Sequence, residues 1–547
     1  MTGRIPDSGE PTGEQAFRGI SAVLPASRDV AEPAPEPVPR RPRRRNPRPV
    51  FVVALIAAVV VIGGWFGAQI EGVDLPALGR LAPWLGTEDT AAQGSGAPGM
   101  SEAEARSWQE KAKAGDGYAM FRMGVIMENG WGGFPRNLSE AARYYRASLE
   151  HNNWKDRWKA QTNLGALELN GGPGFGKNEA EAAALFKKSV EEGDVLAYYR
   201  LAGMYAQGQG GLPQDEEEAT RLYRLGADKG DPWCQWALGW EYFEGRGGLV
   251  RDEVEAVRLY TLAANHGIAP GEKYLAWMYA NGRGGLPVDA ARAAALYKAA
   301  AEQGDADASN ELGWMYFNGQ GGLEKDAKEA ARLLRIGAAG GSTGAAARLA
   351  WMIMNRKDES GADPEEAVRL ARQAADTGDA GGAATLGQMY LNGYGGLPQD
   401  PEEAGKYFKQ ASDGGVAIGQ RMTALFYLKG FAGFPIDETE AARLYRLAAD
   451  QQDAPAADML GLLLLNGNGV ARDEAEALKM FRRAVALGSP AGNYDLGLMY
   501  DYGRGGLARD HQQAQVYFKA AADLGYQPAK DAVRSLADPS GAAKDGH

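Results

Sequence analysis

"NGRGGLPVD", Asn281–Asp289, decides the fold. Three glycines beside an arginine and a proline resemble a loop that grips phosphate. The same letters suit a turn between two helices. Recurrence separates the two readings. The stretch returns as "QGQGGLPQD" at 207–215, "EGRGGLVRD" at 244–252, "NGQGGLEKD" at 318–326, "NGYGGLPQD" at 392–400 and "YGRGGLARD" at 502–510. A nucleotide loop needs a strand before it and a helix N-terminus that meets the phosphate. No copy follows a strand-like run, and no copy holds the Gly-Lys-Ser/Thr of a Walker loop. The turn reading therefore leads. Its glycines take positive φ, Leu286 tucks under the turn, and Asp289 caps the helix that follows.

Working outward from the turn, a second signal appears. A Leu-Gly or Leu-Ala pair recurs every 37 residues, at Leu164, Leu201, Leu238, Leu275, Leu312, Leu349 and Leu386. Met123-Gly124 precedes the series, and Met422-Thr423, Leu460-Gly461 and Leu496-Gly497 continue it. That makes eleven units. In each, a first helix carries the pair, the glycine turn follows, and a second helix rich in Ala, Leu and Tyr begins at Asp or Asn. Ten of the eleven second helices open with Asp/Asn-x-x-Glu/Gln, as in Asp215/Glu218 and Asp400/Glu403; Asp289/Arg292 is the exception. This pattern predicts a capping box, in which two side chains satisfy unpaired helix N–H groups. The small residue after the Leu predicts close helix approach. Unit seven, "NRKDESGADPEEA", lacks the Gly-Gly-Leu turn, so the regular superhelix is expected to falter near 355–363. A capped helix at Ser101–Ala114 opens the array, and "QPAKDAVRSLA" at 527–537 closes it.

The segments "LGxMYxxGxGG…D" and "EAxxLYxxAAxxGD", for example Leu312 through Asp326 followed by Glu329-Ala330-Ala331, resemble the Sel1-like repeat family, relatives of tetratricopeptide repeats. The resemblance covers residues 101–537, about four fifths of the chain. It implies an all-α, right-handed α/α superhelical solenoid of about eleven repeats, whose first helices line a concave face. Such stacks are held by nearest-neighbour contacts.

The rest of the chain sets its address. Residues 1–49 are rich in Pro, Glu, Ala and Arg and poor in apolar residues, which predicts a disordered tail. It ends in "RRPRRRNPR", 40–48, with six arginines in nine residues. Val50–Ile70 then runs 21 residues without a charge, enough to span a bilayer as one transmembrane helix. The arginines place the N-terminus in the cytoplasm and the repeats beyond the inner membrane, in a periplasm. A cleaved signal peptide fits less well, because the leading region is long and the small-x-small site is weak. Residues 71–100 read as a flexible linker and 538–547 as a disordered tail.

Composition narrows the function. Net charge is −12, so nucleic acid is not an expected partner. The single cysteine, Cys234, allows no intrachain disulfide and reads as a small buried residue. Four scattered histidines give no metal-binding spacing, and no cofactor motif occurs. Some Sel1-like proteins carry a β-lactamase label. After residue 70, however, no Ser or Thr has Lys three positions on, as a penicillin-recognising serine requires. No catalytic residue is assigned.

One feature remains for binding. Trp240, Trp277, Trp314 and Trp351 each follow the small residue of the pair, 37 residues apart. Trp233, Trp236 and Phe243 share a helix face with Trp240. Phe317 repeats the Phe243 position, as does Met354, while Lys273 and Asn310 repeat that of Trp236. These residues outline an aromatic groove across units four to seven, suited to apolar peptide anchors or sugar faces. The bland alternative is that the rings only pack between helices. The sequence thus points to a membrane-anchored periplasmic scaffold or adaptor that binds protein partners of the cell envelope. A glycan- or peptidoglycan-binding protein is the second reading, and a lactamase-like or amidase hydrolase the last.

Overall fold

A computed structural model describes residues 100–151, 154–357 and 361–537. The expected tail at 1–49, transmembrane helix at 50–70, linker at 71–100 apart from Met100, and tail at 538–547 lie outside the described residues. Among the described residues, no helix is long and apolar enough to cross a membrane. The described chain is an all-helical solenoid of 24 helices, from Glu102–Lys113 to Gln527–Ala537. No strand occurs among the described residues beyond one isolated bridge, Gly172 to Phe175. Two compact bodies are present. One holds the helices up to Tyr445 with the 467–471 turn; the other holds 446–466 and 472–537.

Unit five shows why these residues form these elements. Its first helix is Ala269–Asn281 and its second is Ala290–Glu302. Gly282 ends the first helix at φ 61°, in the left-handed region that glycine enters without cost. The Asp289 carboxylate accepts the N–H of Arg292, and its own N–H goes to the Tyr279 carbonyl, 2.9 Å away. Asp289 therefore caps the second helix even though an arginine stands where ten other units have Glu or Gln. Leu286 packs under the turn against buried Tyr260 and Met278, as the sequence suggests.

The capping-box expectation needs correction. The Asp or Asn caps as expected, with the N–H of Glu218, Glu255 and Glu403 donated to Asp215, Asp252 and Asp400. The reciprocal half is replaced. The N–H of most caps goes to a first-helix carbonyl ten residues back, as with Asp215 to Tyr205 and Asp400 to Tyr390, and that of Asp473, after a shorter turn, goes nine back to Leu464. In most units the Glu turns outward to an arginine or lysine three residues on, as in Glu218–Arg221 at 2.6 Å and Glu255–Arg258 at 2.6 Å, while Glu181 and Glu366 pair with Arg146 and Arg335 of the unit before. The turn supplies a backbone acceptor that an isolated helix lacks, so the Glu is released from capping.

The glycines do more than turn the chain. A Cβ on Gly284 would lie 2.5 Å from the carbonyl oxygen of Glu253 in the preceding unit. At the same position, Gly210 would meet Glu179 O at 2.3 Å and Gly505 would meet Glu474 O at 2.6 Å. The middle glycine is thus where one unit seats on the one before. The residue ahead of it strengthens the seat: Arg246 pairs with Glu216 at 2.6 Å, Arg283 with Glu253, and Asn468 donates to Glu438 at 2.7 Å.

In units one, two, four, eight, ten and eleven, the small residue after Leu or Met faces an aromatic of the second helix, whereas in unit six Gly313 faces Leu333 and Leu334. A Cβ on Gly124 would meet Tyr145 at 2.4 Å, and one on Gly461 would meet Phe481 at 2.6 Å. Tyr145, Phe186, Tyr260 and Phe481 are fully buried there, forming the core between paired helices. The Gly-Asp steps join units: Gly230 is at φ 90°, and the Asp231 carboxylate caps Pro232–Glu244 through the N–H of Cys234. Cys234 is fully buried, and burial pushes its thiol well above the ordinary range. Its Sγ sits 2.3 Å from where a Cβ on Gly226 would lie, as fits a small packing residue.

Candidate functional site: an aromatic strip on the first helices

The first helix of unit four, Pro232–Glu244, buries Cys234, Leu238 and Gly239. Three or four residues apart on another side stand Trp233, Trp236, Trp240 and Phe243, all half-buried. They do not stand alone. Trp236 stacks on Tyr274 of the next unit, with ring centres 6.4 Å apart, and Trp240 approaches Tyr274 at 5.2 Å. Trp240 stacks on Phe243 at 5.9 Å, and Phe243 meets the edge of Trp277 at 5.6 Å. Trp233 packs against Trp236 and against Tyr199 of unit three. A second group comprises Trp314, Phe317 and Trp351, with centres 5.0 to 6.1 Å apart. The sequence-derived stripe is therefore two ring clusters, one over units four and five and one over units six and seven. Each ring is partly covered by its neighbours and partly open.

Cations rim both clusters. The Arg283 guanidinium lies 5.3 Å from the Trp277 ring centre and 5.7 Å from Phe243, with Arg251 5.3 Å from Phe243. Arg348 lies 5.0 Å from Trp314, and Lys357 lies 5.0 Å from Trp351. A cation over an aromatic face gains electrostatically from the ring quadrupole. Arg251 and Arg283 share one carboxylate, Glu253, whose pKa is lowered chiefly by the Arg283 hydrogen bond. Arg348 pairs with Glu311 at 3.0 Å.

Two residues expected in the groove have structural ties. Lys273 bridges to Asp305 at 3.0 Å and Asp307 at 3.2 Å in the next unit. Burial alone would lower its pKa, but the two carboxylates outweigh that and hold it raised. Asn310 is buried, and its amide nitrogen donates to Glu311 at 3.0 Å. Both support the strip from beneath. The Asn310 side-chain oxygen and the indole nitrogens of Trp236 and Trp314 are buried without a hydrogen-bond partner within the protein.

Sequence reasoning missed Tyr274, the rim arginines and a further cluster in unit one. There Trp154 stacks on Phe121 at 5.4 Å and approaches Tyr118 at 5.8 Å, with Trp108 edge-on to Tyr118. A signal existed: the pair spacing stretches from 37 to 41 residues between Met123 and Leu164, and Trp154 sits in that insertion. Phe121 holds the register of Trp236. In unit one, then, the chain covers this register with its own tryptophan. Among the described residues, no group of three His, Cys, Asp or Glu side chains is placed to hold a metal ion.

Comparison with known proteins bears on this arrangement. A family model described as "Sel1 repeat" matches eleven segments: 117–153, 158–194, 195–231, 234–268, 269–305, 306–342, 343–379, 382–416, 417–453, 454–489 and 490–526. The chain is similar to c5321, described as a protective antigen of uropathogenic Escherichia coli displaying an SLR fold. They share 28% identity at a TM-score of 0.55, over 80% of this chain and 90% of that one. It is also similar to a Sel1 repeat protein from Oxalobacter formigenes, at 23% identity and a TM-score of 0.40, over 46% of this chain and 96% of the other. No curated protein sequence matches.

Proposed function

This chain belongs to the Sel1 repeat family, whose solenoids generally serve as non-enzymatic protein-interaction scaffolds, and we propose that it is a membrane-anchored adaptor for proteins of the bacterial cell envelope. Val50–Ile70 would be the anchor in the inner membrane, with the Arg-rich tail cytoplasmic and the repeats periplasmic. The partner would dock on the first helices of units four to seven. The observation that carries this reading is the pair of ring clusters, held rigid by neighbouring rings and cations yet half open. Stiff, partly exposed aromatics are the anchors that dominate protein interfaces.

Peptidoglycan or another glycan is the competing ligand. A sugar stacks on an open indole face. The guanidiniums of Arg283 and Arg348 occupy faces of Trp277 and Trp314, which favours a protein segment over a sugar. The test is crosslinking and affinity purification of the full chain from membranes, beside a Trp240, Trp277, Trp314 and Trp351→Ala variant shown by circular dichroism to fold. Loss of a specific envelope protein only in the variant supports docking on the strip. An unchanged set of partners, or recovery of sacculi in their place, overturns it.

A further inference from the structure

The strip is not only aromatic. At the corner where Phe243 meets Trp277, two arginines converge on one acid. Arg251 donates to the Glu253 carboxylate at 2.8 Å, and Arg283 meets the same carboxylate through Nε at 3.0 Å and through Nη2. Each guanidinium offers five N–H donors, and one carboxylate cannot satisfy ten. The corner therefore carries one positive charge in excess, on a chain whose net charge is −12. Both guanidiniums are held over rings and tied to Glu253, so their spare donors are positioned before any ligand arrives.

Unit one shows what kind of group fills the neighbouring register. There the ring of Trp154, carried on a stretch outside the helices, stacks on Phe121. In unit four the equivalent ring is Trp236, and the pair spacing from Leu238 to Leu275 is the ordinary 37 residues, with no such insertion. We infer that the Phe243–Trp277 corner receives an extended segment of a partner protein that presents an acidic side chain beside an aromatic one. The carboxylate sits on Arg251 and Arg283, and the ring packs against Trp240 and Trp277. The inference rests on the docking reading above and names the chemistry of its partner. Long-range attraction from the paired arginines also makes the association salt-dependent.

The probe is fluorescein-Gly-Gly-Glu-Trp-Asp-Leu-Trp-Glu, titrated with the full chain in detergent micelles and read by anisotropy. Its control replaces each Glu and Asp by Gln and Asn. The acidic peptide is expected to bind about tenfold tighter than its amide control, a difference that fades at high salt. Arg251→Gln with Arg283→Gln abolishes that difference. Glu253→Gln removes the internal competitor and tightens binding severalfold, a gain that misfolding cannot produce. Equal binding of the two peptides, or no tightening in Glu253→Gln, overturns the inference. If the acidic peptide fails but the membrane partner is still lost in the fourfold Trp variant, the docking face stands and only its acidic preference falls. If chitotetraose displaces the peptide from the wild type but not from the Arg variant, the corner is a glycan site and the peptide assignment is wrong.

Discussion

The same two positions of the repeat hold different contacts in two parts of the molecule. In units four and five, the residue two before the Leu is Trp236, and it stacks on Tyr274, one before the next Leu. In units ten and eleven, the equivalents are Asp458 and Asp495, and the two carboxyl groups hydrogen-bond to each other. Two carboxyls can do this only if a proton lies between them. Burial pushes both pKa values up; Asp495 raises that of Asp458 further, while the hydrogen bond with Asp458 offsets part of the rise at Asp495. Asp458 is buried, with one oxygen unpartnered, and burial together with both carboxyls raises the pKa of Tyr526. In both regions an Asp caps each second helix, as Asp252 and Asp289 do in units four and five and Asp473 and Asp510 in units ten and eleven. The repeating residues set the frame, and the non-repeating first-helix residues decide what each place on it can do.

Breaking the shared frame should cost most, and cost alike in both regions. Gly284→Ala and Gly505→Ala each put a Cβ about 2.5 Å from a carbonyl, at φ 58° and 64°. Each should lower stability by about 3 kcal/mol, combining left-handed strain with overpacking. Gly506, at φ 84° with open space around it, should cost only about 1 kcal/mol as Ala. Denaturant unfolding checks this, and equal costs at Gly505 and Gly506 would refute the seating role. Next comes Tyr274→Ala, which strips the ring joining Trp236 to Trp240; about 2 kcal/mol should be lost, with local hydrogen exchange accelerating in 232–281 rather than 454–502.

The pH response should separate the regions more finely. A carboxyl with a raised folded pKa stabilises when protonated, so stability is full at low pH and lost as pH rises. Asp495 sets the window, from the ordinary 3.8 up to about 7. The helices Ala454–Asn466 and Pro490–Tyr502 should therefore show lower hydrogen-exchange protection factors, with the intrinsic pH dependence divided out, at pH 8 than at pH 5, and Asp495→Asn should flatten that profile. Units four and five should show no such step. A profile unchanged in Asp495→Asn would mean the pair does not share a proton. The smallest effect belongs to Lys273→Met, which leaves Asp305 and Asp307 facing each other without their cation. About 1 kcal/mol should be lost in thermal unfolding, and high salt should shrink the loss because Asp307 is exposed.

Much of the frame was legible because it repeats. A 37-residue period, a capping Asp and glycines after each helix fix the helices and turns within the unit. What lies between units was not legible. Nothing in "NGRGGLPVD" says that Gly284 abuts Glu253, or that Arg283 reaches back to Glu253 and Phe243 of the unit before, because those distances depend on how repeats stack. The Asp-x-x-Glu pattern misled for a different reason: a first-helix carbonyl of the same unit supplies the acceptor that an isolated helix takes from its Glu. The tryptophan stripe was readable as spacing. Its division into two clusters, and the burial of Asn310, came only with neighbouring side chains in place.

The central claim is that the aromatic strip is an open docking face and not merely packing. The most direct measurement is fluorine NMR of the full chain labelled with 5-fluorotryptophan, with Trp240, Trp277, Trp314 and Trp351 assigned by single Trp→Phe variants. A soluble gadolinium chelate should broaden these four signals, and the partner captured from membranes should shift them and protect them. Four signals untouched by both the chelate and the partner would contradict the account and leave the tryptophans as packing alone.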